Sequence, residues 1–95
     1  MSVQNRLLEL TKDSDPKNVI VATETLYLSS NEGDLSIIAN YLTSDDPELR
    51  MLAAQSFWFV PADEFLPNIE AALEKESNPS IVKKLKSIIL LMEDD

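Results

Sequence analysis

A proline follows a helix-capping residue at three places in this sequence, and the three places are almost evenly spaced. The segments are SDPKNVIVATETLYL, DDPELRMLAAQSFWF and SNPSIVKKLKSIILL, which place Pro16, Pro47 and Pro79 at separations of 31 and 32. Proline at the first helical position loses no hydrogen bond, and Asp or Asn before it accepts one from a free backbone N–H. The pattern predicts three helices, termed A helices, each capped by the residue before its proline.

A second helical pattern fills the intervals between the A helices. Apolar residues at positions i, i+3 and i+7 mark one face of a helix. That face occurs twice at an offset of 31, at Leu35, Ile38, Leu42 and at Leu66, Ile69, Leu73. Val3 and Leu10 precede the first and last of these positions by an offset of 32. We expect B helices here, two of them capped by Asp34 and Asp63, and the predicted order is B-A-B-A-B-A.

Two helices in each repeat of this length are typical of a helical solenoid, in which each unit buries its apolar face against its neighbours. A chain of 95 residues is long enough for one small domain. We therefore predict a single all-α domain over residues 1–95, a short right-handed α-solenoid of about six helices. Breaks are expected near residues 12–15, 29–34, 43–46, 60–63 and 76–78.

The central unit resembles the HEAT repeat, particularly its short bacterial form. The residues that carry the resemblance are Asp46, Pro47, Leu49, Arg50, Ala53, Ala54 and Phe57. The first and third units match less well, because neither has an arginine at the position of Arg50. The resemblance implies a fold and a habit of binding proteins, and it implies no activity.

The chain has no His and no Cys, which removes the usual zinc ligands, the thiol nucleophiles and the near-neutral general base. Its carboxylates do not follow the loop spacing of a calcium site. We expect no enzymatic activity, no metal and no cofactor. The N-terminal segment lacks the pattern of a signal peptide, and no apolar run is long enough to span a membrane. We therefore expect a soluble, cytoplasmic protein without membrane contact.

The net charge of −9 is unevenly distributed, since residues 1–77 hold 14 acidic and 5 basic residues whereas residues 78–95 hold 3 of each. Such a surface repels nucleic acid and speeds the encounter with a cationic partner. Solubility alone is the alternative explanation of the charge. Several of the acids have no evident helix-capping role, among them Asp45, Glu74 and Glu76 at the corners between B and A helices.

Aromatic residues are concentrated near the end of the central A helix. On a helical wheel Phe57 and Phe59 fall within the predicted core arc, together with Leu49, Leu52, Ala53, Ser56 and Val60. Trp58 falls outside it, in line with Met51 and Ala54 and with Ile20 and Tyr27 one repeat earlier. Two interpretations remain open: Trp58 packs between repeats as core, or it anchors an outward protein-binding patch.

The outward positions of the B helices are mixed in character and mostly small, and they suit contact with a protein surface. The candidate protein-binding residues are Ile37, Asn40, Asp45, Asp46, Trp58, Glu74 and Glu76. The last A helix lacks a following B helix, so its far side should be partly bare. Lys83, Lys84 and Lys86 would cover it, or a homodimer or a partner would; we expect a monomer.

These features favour a non-catalytic protein-binding module. Small, acidic, cysteine-free immunity proteins of bacterial toxin systems look like this chain, and that resemblance implies a cationic toxin, commonly a nuclease, as the 1:1 partner. The alternative is an adaptor or assembly factor of the HEAT-like phycobilisome-lyase type. A third possibility is a piece of a longer solenoid, because half-repeats stand at both ends, although Met1 and the terminal MEDD resemble natural ends.

Overall fold

The structure is a computed structural model that describes residues 15–30 and 33–93. Within these ranges it is all-helical and contains no strand. The α-helices are α1 (Pro16–Ser30), α2 (Leu35–Asn40), α3 (Pro47–Phe59), α4 (Leu66–Lys75) and α5 (Pro79–Glu93). A 3-10 turn at Tyr41–Thr43 extends α2, and another at Asp63–Phe65 precedes α4. The first predicted B helix lies outside the described residues.

The three A helices are α1, α3 and α5, and they begin as the sequence predicts. The side-chain oxygen of Asp15 accepts from the backbone N–H two residues later at 3.0 Å, and those of Asp46 and Asn78 do so at 2.9 and 3.0 Å. The non-helical segments 33–34, 44–46, 60–62 and 76–78 fall at the expected breaks. Residues 12–14 and 31–32 lie outside the described residues.

The two B helices begin in different ways. Asp34 caps α2 as predicted, because its Oδ1 accepts from the N–H of Ser36 at 3.0 Å. The prediction for Asp63 is wrong: it opens a 3-10 turn, and Phe65 takes the N-cap position of α4 without a side-chain bond. The ring of Phe65 lies 5.3 Å from that of Phe57 instead. The start of α4 therefore has an aromatic contact and a proline in its first turn, and it has no capping carboxylate.

The single glycine of the chain lies where the turn between α1 and α2 passes over α1. A Cβ atom on Gly33 would overlap the carbonyl oxygen of Thr23 and lie 2.8 Å from the backbone nitrogen of Tyr27. Both obstacles are backbone atoms of a helix, which cannot move aside as the end of a flexible side chain can. The close approach therefore requires glycine at this position.

The A helices lie side by side, with α3 packed against α1 and against α5. Lys17 and Glu48 each directly follow the first proline of their helices, and their side chains meet at 2.7 Å. Arg50 in the first turn of α3 contacts Glu76, which stands just before α5. The three N-terminal ends therefore share one edge, and the helices run in the same direction.

The core lies around α3, whose Ala53 and Ala54 are fully buried and let its neighbours approach closely. Ile20 of α1, Ile38 of α2, Ile69 of α4 and Leu85 of α5 are also buried. Of the two interpretations left open for the residues in line with Trp58, core packing therefore holds for Ile20 and Ala54. Helices pack on more than one side of α1 and α3, so positions that a one-sided wheel places outside are covered.

The core arc predicted for α3 holds with one exception. Phe57 is 1% exposed and Val60 is 6% exposed, but Phe59 is 67% exposed. Phe59 is the last residue of α3, and the backbone leaves helical geometry at Val60. Val60 is nevertheless buried, as the helical wheel predicts, and Phe59 lies exposed at the end of the helix.

Candidate protein-binding surfaces

The corners between B and A helices enclose a cleft of about 250 Å³. One wall is the turn from α2 to α3 and the other is the turn from α4 to α5. Its lining residues are Leu42, Thr43, Ser44, Asp45, Arg50, Ala72, Lys75, Glu76 and Ser77. The cleft thus brings together two of the acids singled out in the sequence, Asp45 and Glu76, but the structure gives them different roles.

An ion pair between Arg50 and Glu76 crosses this cleft. Arg50 Nε donates to Glu76 Oε1 at 2.8 Å, and Nη2 donates to Oε2 at 3.2 Å. Nη1 donates to the backbone carbonyls of Ser44 and Asp45 at 2.9 and 3.2 Å. Two-bonded pairs of this kind fix geometry as well as charge. One arginine therefore holds both corners together.

Glu76 is closed off from a partner by this arrangement. Its side chain is only 1% exposed, and its Oε2 also accepts from the backbone N–H of Asn78 at 3.1 Å. From the sequence alone, Glu76 has no structural role and is a candidate binding residue. The structure shows that it does have a structural role, in the pair with Arg50. The two opposite charges neutralise one another, so the pair joins corners and presents little charge to a ligand.

The surroundings of Glu76 also determine its protonation. Burial alone raises the pKa of a carboxyl group, because a charged form loses hydration. The bonds from the Arg50 guanidinium and the Asn78 amide outweigh that effect, and the pKa of Glu76 lies below its ordinary value. Glu76 is therefore ionised at neutral pH, as the ion pair requires.

The other corner acids lie at the surface. Asp45, Asp46 and Glu74 are all exposed, and Glu70 lies one turn before Glu74 on α4. One carboxylate oxygen of Asp46 caps α3. Capping leaves a carboxylate charged, so all four can act on a cationic partner at long range.

Some of the predicted B-helix binding residues lie on accessible surface. Asn40 of α2 is exposed and Ile37 is half-buried. On α4 the outward positions Asn68 and Ala71 are exposed together with Glu74. These side chains offer hydrogen-bonding groups and small apolar contacts to a partner.

Trp58 is 37% exposed, with its ring partly covered from the neighbouring A helix. The Nζ atom of Lys84 on α5 lies 4.9 Å from the ring centroid. Such cation–π contacts contribute about 0.5–1 kcal/mol at exposed sites. Trp58 is therefore neither a buried core residue nor a bare one, because Lys84 of the neighbouring helix lies over its ring.

The last turn of α5 is partly bare. Leu90 is 67% exposed and Leu91 is 45% exposed. Lys83 and Lys86 are exposed on the same helix. Among the described residues no helix is both long enough and apolar enough to cross a membrane.

Two features of these surfaces were not predicted from the sequence. Glu76 stands three residues before Pro79, and Arg50 is the one basic residue of α3, but nothing in the sequence says that the two meet. The exposed residues Leu28, Phe59 and Leu91 recur at the same separations as the prolines, and this repeat spacing was available as a signal. No protein-family model, curated protein or solved structure matches the chain, and the HEAT-like resemblance stays a prediction.

Proposed function

We propose that this chain is a non-catalytic module that binds and neutralises a cationic protein. The observation that carries the proposal is the exposure of its acids. Every acidic residue in the described ranges is exposed except Glu24 and Glu76. A protein that meets this surface meets carboxylates at both ends of the helices.

The described cations offset these acids only in part: Lys75, Lys83 and Lys86 are exposed, and the other three each have a contact. Lys17 is paired with Glu48, Arg50 is paired with the buried Glu76, and Lys84 lies over Trp58. Opposite surface charges raise the rate of encounter, most strongly at low ionic strength. The same charge disfavours association of two copies of this chain, which supports a monomer in a 1:1 complex.

In this proposal the fold is a short right-handed α-solenoid of HEAT-like units, with a first B helix before α1. The partner is a toxin with a basic active site, a nuclease above all, because such a site attracts phosphate and will attract carboxylates in the same way. The chain would then be the immunity protein that covers that site. An adaptor that grips a folded partner along Ile37, Asn40 and Ala71 is the alternative.

The test begins with capture and identification of the bound protein, followed by stopped-flow association of the purified pair. We expect one basic protein, whose association slows steeply as salt rises, because charges beyond about 8 Å are screened at physiological ionic strength. Reversing Asp45, Glu70 and Glu74 to Lys should slow association further. Glu76 is left unchanged because it is buried in the Arg50 pair.

The matched control replaces the same three residues by Asn, Gln and Gln, which removes charge without adding the opposite charge. The association rate should then fall between those of the unchanged chain and the lysine variant. The electrostatic mechanism would be refuted by a neutral or acidic partner. It would also be refuted by association rates that change neither with salt nor in these variants. If a captured toxin stays active in the complex, the chain is not its immunity protein, and the adaptor hypothesis remains.

A further inference from the structure

The exposed large apolar residues of this protein are not scattered. In the described ranges they are Val21, Leu28, Trp58, Phe59, Leu90 and Leu91. All except Val21 lie in the last turn of an A helix. Single exposed apolar residues need no explanation, but a set confined to equivalent helix ends marks a candidate interaction site.

The repeat places these residues next to one another. Leu28, Phe59 and Leu91 occupy the same position relative to the first proline of their helices. The helices are adjacent, and the Lys17–Glu48 and Arg50–Glu76 contacts align their N-terminal ends. Packed helix axes are about 8–10 Å apart, so the three side chains form a row roughly 20 Å long. We call this set, with Trp58 and Leu90 beside it, the apolar row.

The edge that carries the apolar row is mainly negatively charged, with Lys84 over the Trp58 ring as a cation beside it. None of the three A helices has a basic residue in its last turn. The free carbonyls at a helix C-terminus carry a partial negative charge that Lys or Arg usually offsets. Exposed acids stand at the same edge, at Asp34, Asp63, Glu64 and Glu93.

The combination selects one kind of occupant. A second copy of this chain would bring a like-charged edge against this one, and like charges in contact oppose binding. We infer that the apolar row binds a cationic amphipathic segment of a partner protein. Its apolar side chains would lie on Phe59 and its neighbours, and its Lys or Arg side chains would meet the acids and the helix carbonyls.

The dimensions agree with a helical segment. A row of roughly 20 Å corresponds to about 13 residues of α-helix at a rise of about 1.5 Å per residue. Phe59 and Trp58 lie at the centre of the row, on the middle helix, and aromatic residues at the centre of an interface commonly contribute most to affinity. The inference rests on the proposed function only for the positive charge of the partner.

The test uses a short helical peptide of Leu and Lys, long enough to span the row, as the probe, titrated into the full chain by calorimetry. Trp58 is the only tryptophan, so its emission reports directly on the row. We expect binding with a blue shift of that emission, and at least a 10-fold loss of affinity in Phe59→Ser. Leu91→Ser should show the same loss, and it serves if the first variant folds poorly.

Two controls separate the row from general attraction. Val21→Ser removes an exposed apolar residue of α1 that lies two turns before the row, and its affinity should be unchanged. A peptide with Ser in place of Leu keeps the charge, and it should bind weakly without the blue shift. Equal binding by this peptide, equal loss in Val21→Ser, or full binding by both row variants would overturn the inference.

A second copy as occupant is tested by sedimentation without peptide. A dimer that dissociates on Phe59→Ser would overturn the stated partner. The proposed function fails separately from the row. If a native basic partner binds Phe59→Ser with unchanged affinity, the apolar row is not the binding site, but the proposed function stands. If the Leu/Lys peptide binds through the row but the native partner is acidic, the inference about the row stands and the proposed function is refuted.

Discussion

Two junctions join the A helices of this protein, and different ion pairs hold them near the helix starts. Between α1 and α3 the contact at the helix starts is the Lys17–Glu48 pair, whose side chains are 48% and 62% exposed. Between α3 and α5 it is the Arg50–Glu76 pair, at 20% and 1%. Exposed pairs contribute little to stability, whereas a broken buried pair is costly. The sequence repeat therefore gives the two junctions a similar arrangement of helices but a different contribution to stability.

The difference arises from two substitutions within the repeat. Ser44 stands three residues before Pro47, where Glu76 stands before Pro79. Both accept from the backbone N–H two residues later, Ser44 Oγ at 3.2 Å and Glu76 Oε2 at 3.1 Å. Only Glu76 is long enough to reach an arginine as well. At the position of Arg50, α1 carries Val19, which is buried and has no charge to offer.

Breaking the second junction should have the largest effect on stability. Arg50→Met leaves the Glu76 carboxylate buried without its partner, and removal of one member of a buried pair typically costs about 3–5 kcal/mol. We expect about 3 kcal/mol, the lower end, because Arg50 is partly exposed. Urea denaturation measures the change.

The control for that variant is Lys75→Met, which removes an exposed cation from the same cleft and should change stability by less than about 0.5 kcal/mol. The double variant Arg50→Met, Glu76→Leu should recover most of the loss, because apolar replacement of a buried pair is often neutral. A single variant as stable as the unchanged chain would show that the pair does not hold the corner.

The first repeat should respond to a change of shape instead. In Gly33→Ala the new methyl group meets backbone atoms of α1, and overpacking of this kind costs about 1–3 kcal/mol. Glu64→Ala is the matched control, since Glu64 is exposed and occupies the equivalent position in the next repeat. Thermal denaturation compares the two; equal midpoints would contradict the close approach at Gly33.

The pH dependence of stability should distinguish the junctions further. The pKa of Glu76 is lowered in the folded chain, so its contribution is fully present above the ordinary value of 4.5. It is lost as the pH falls through the lower folded pKa. The stability difference between the unchanged chain and Glu76→Gln should therefore be largest near neutral pH and shrink below pH 4.5. A constant difference would exclude a charged Glu76.

Breaking the first junction should have the smallest effect. The Glu48 carboxylate raises the pKa of Lys17 through its hydrogen bond, but both side chains remain in water. Lys17→Met and Glu48→Gln should leave the urea midpoint within experimental error. A loss comparable to that of Arg50→Met would show that the two junctions are energetically equivalent, and the comparison would fail.

Much of the fold was predictable because local rules decide it. The capping residues before Pro16, Pro47 and Pro79 determine where the A helices begin, and those bonds form within two residues. Asp34 follows the same rule. Asp63 does not: Phe65, whose ring contacts Phe57 of α3, takes the N-cap position of α4 instead.

The candidate surfaces were less predictable, because they depend on where helix faces end. Asp45, Asp46, Glu74 and Asn40 lie at the surface, where the sequence predicts them. Phe59 and Ile20 exchange roles relative to the helical wheel, one exposed and the other buried. A wheel shows the direction of a side chain but not the neighbouring helix that covers it, nor the residue at which the helix stops.

The sequence by itself determined where the A helices and α2 begin, the repeat length and the excess of negative charge, since each follows from residue type and short-range bonding. Only the tertiary structure decided that Arg50 meets Glu76 across 26 residues and that Leu28, Phe59 and Leu91 share one edge. Pairing between distant residues depends on how helices are rotated against one another. That rotation is set by the whole packed core, and no short segment encodes it.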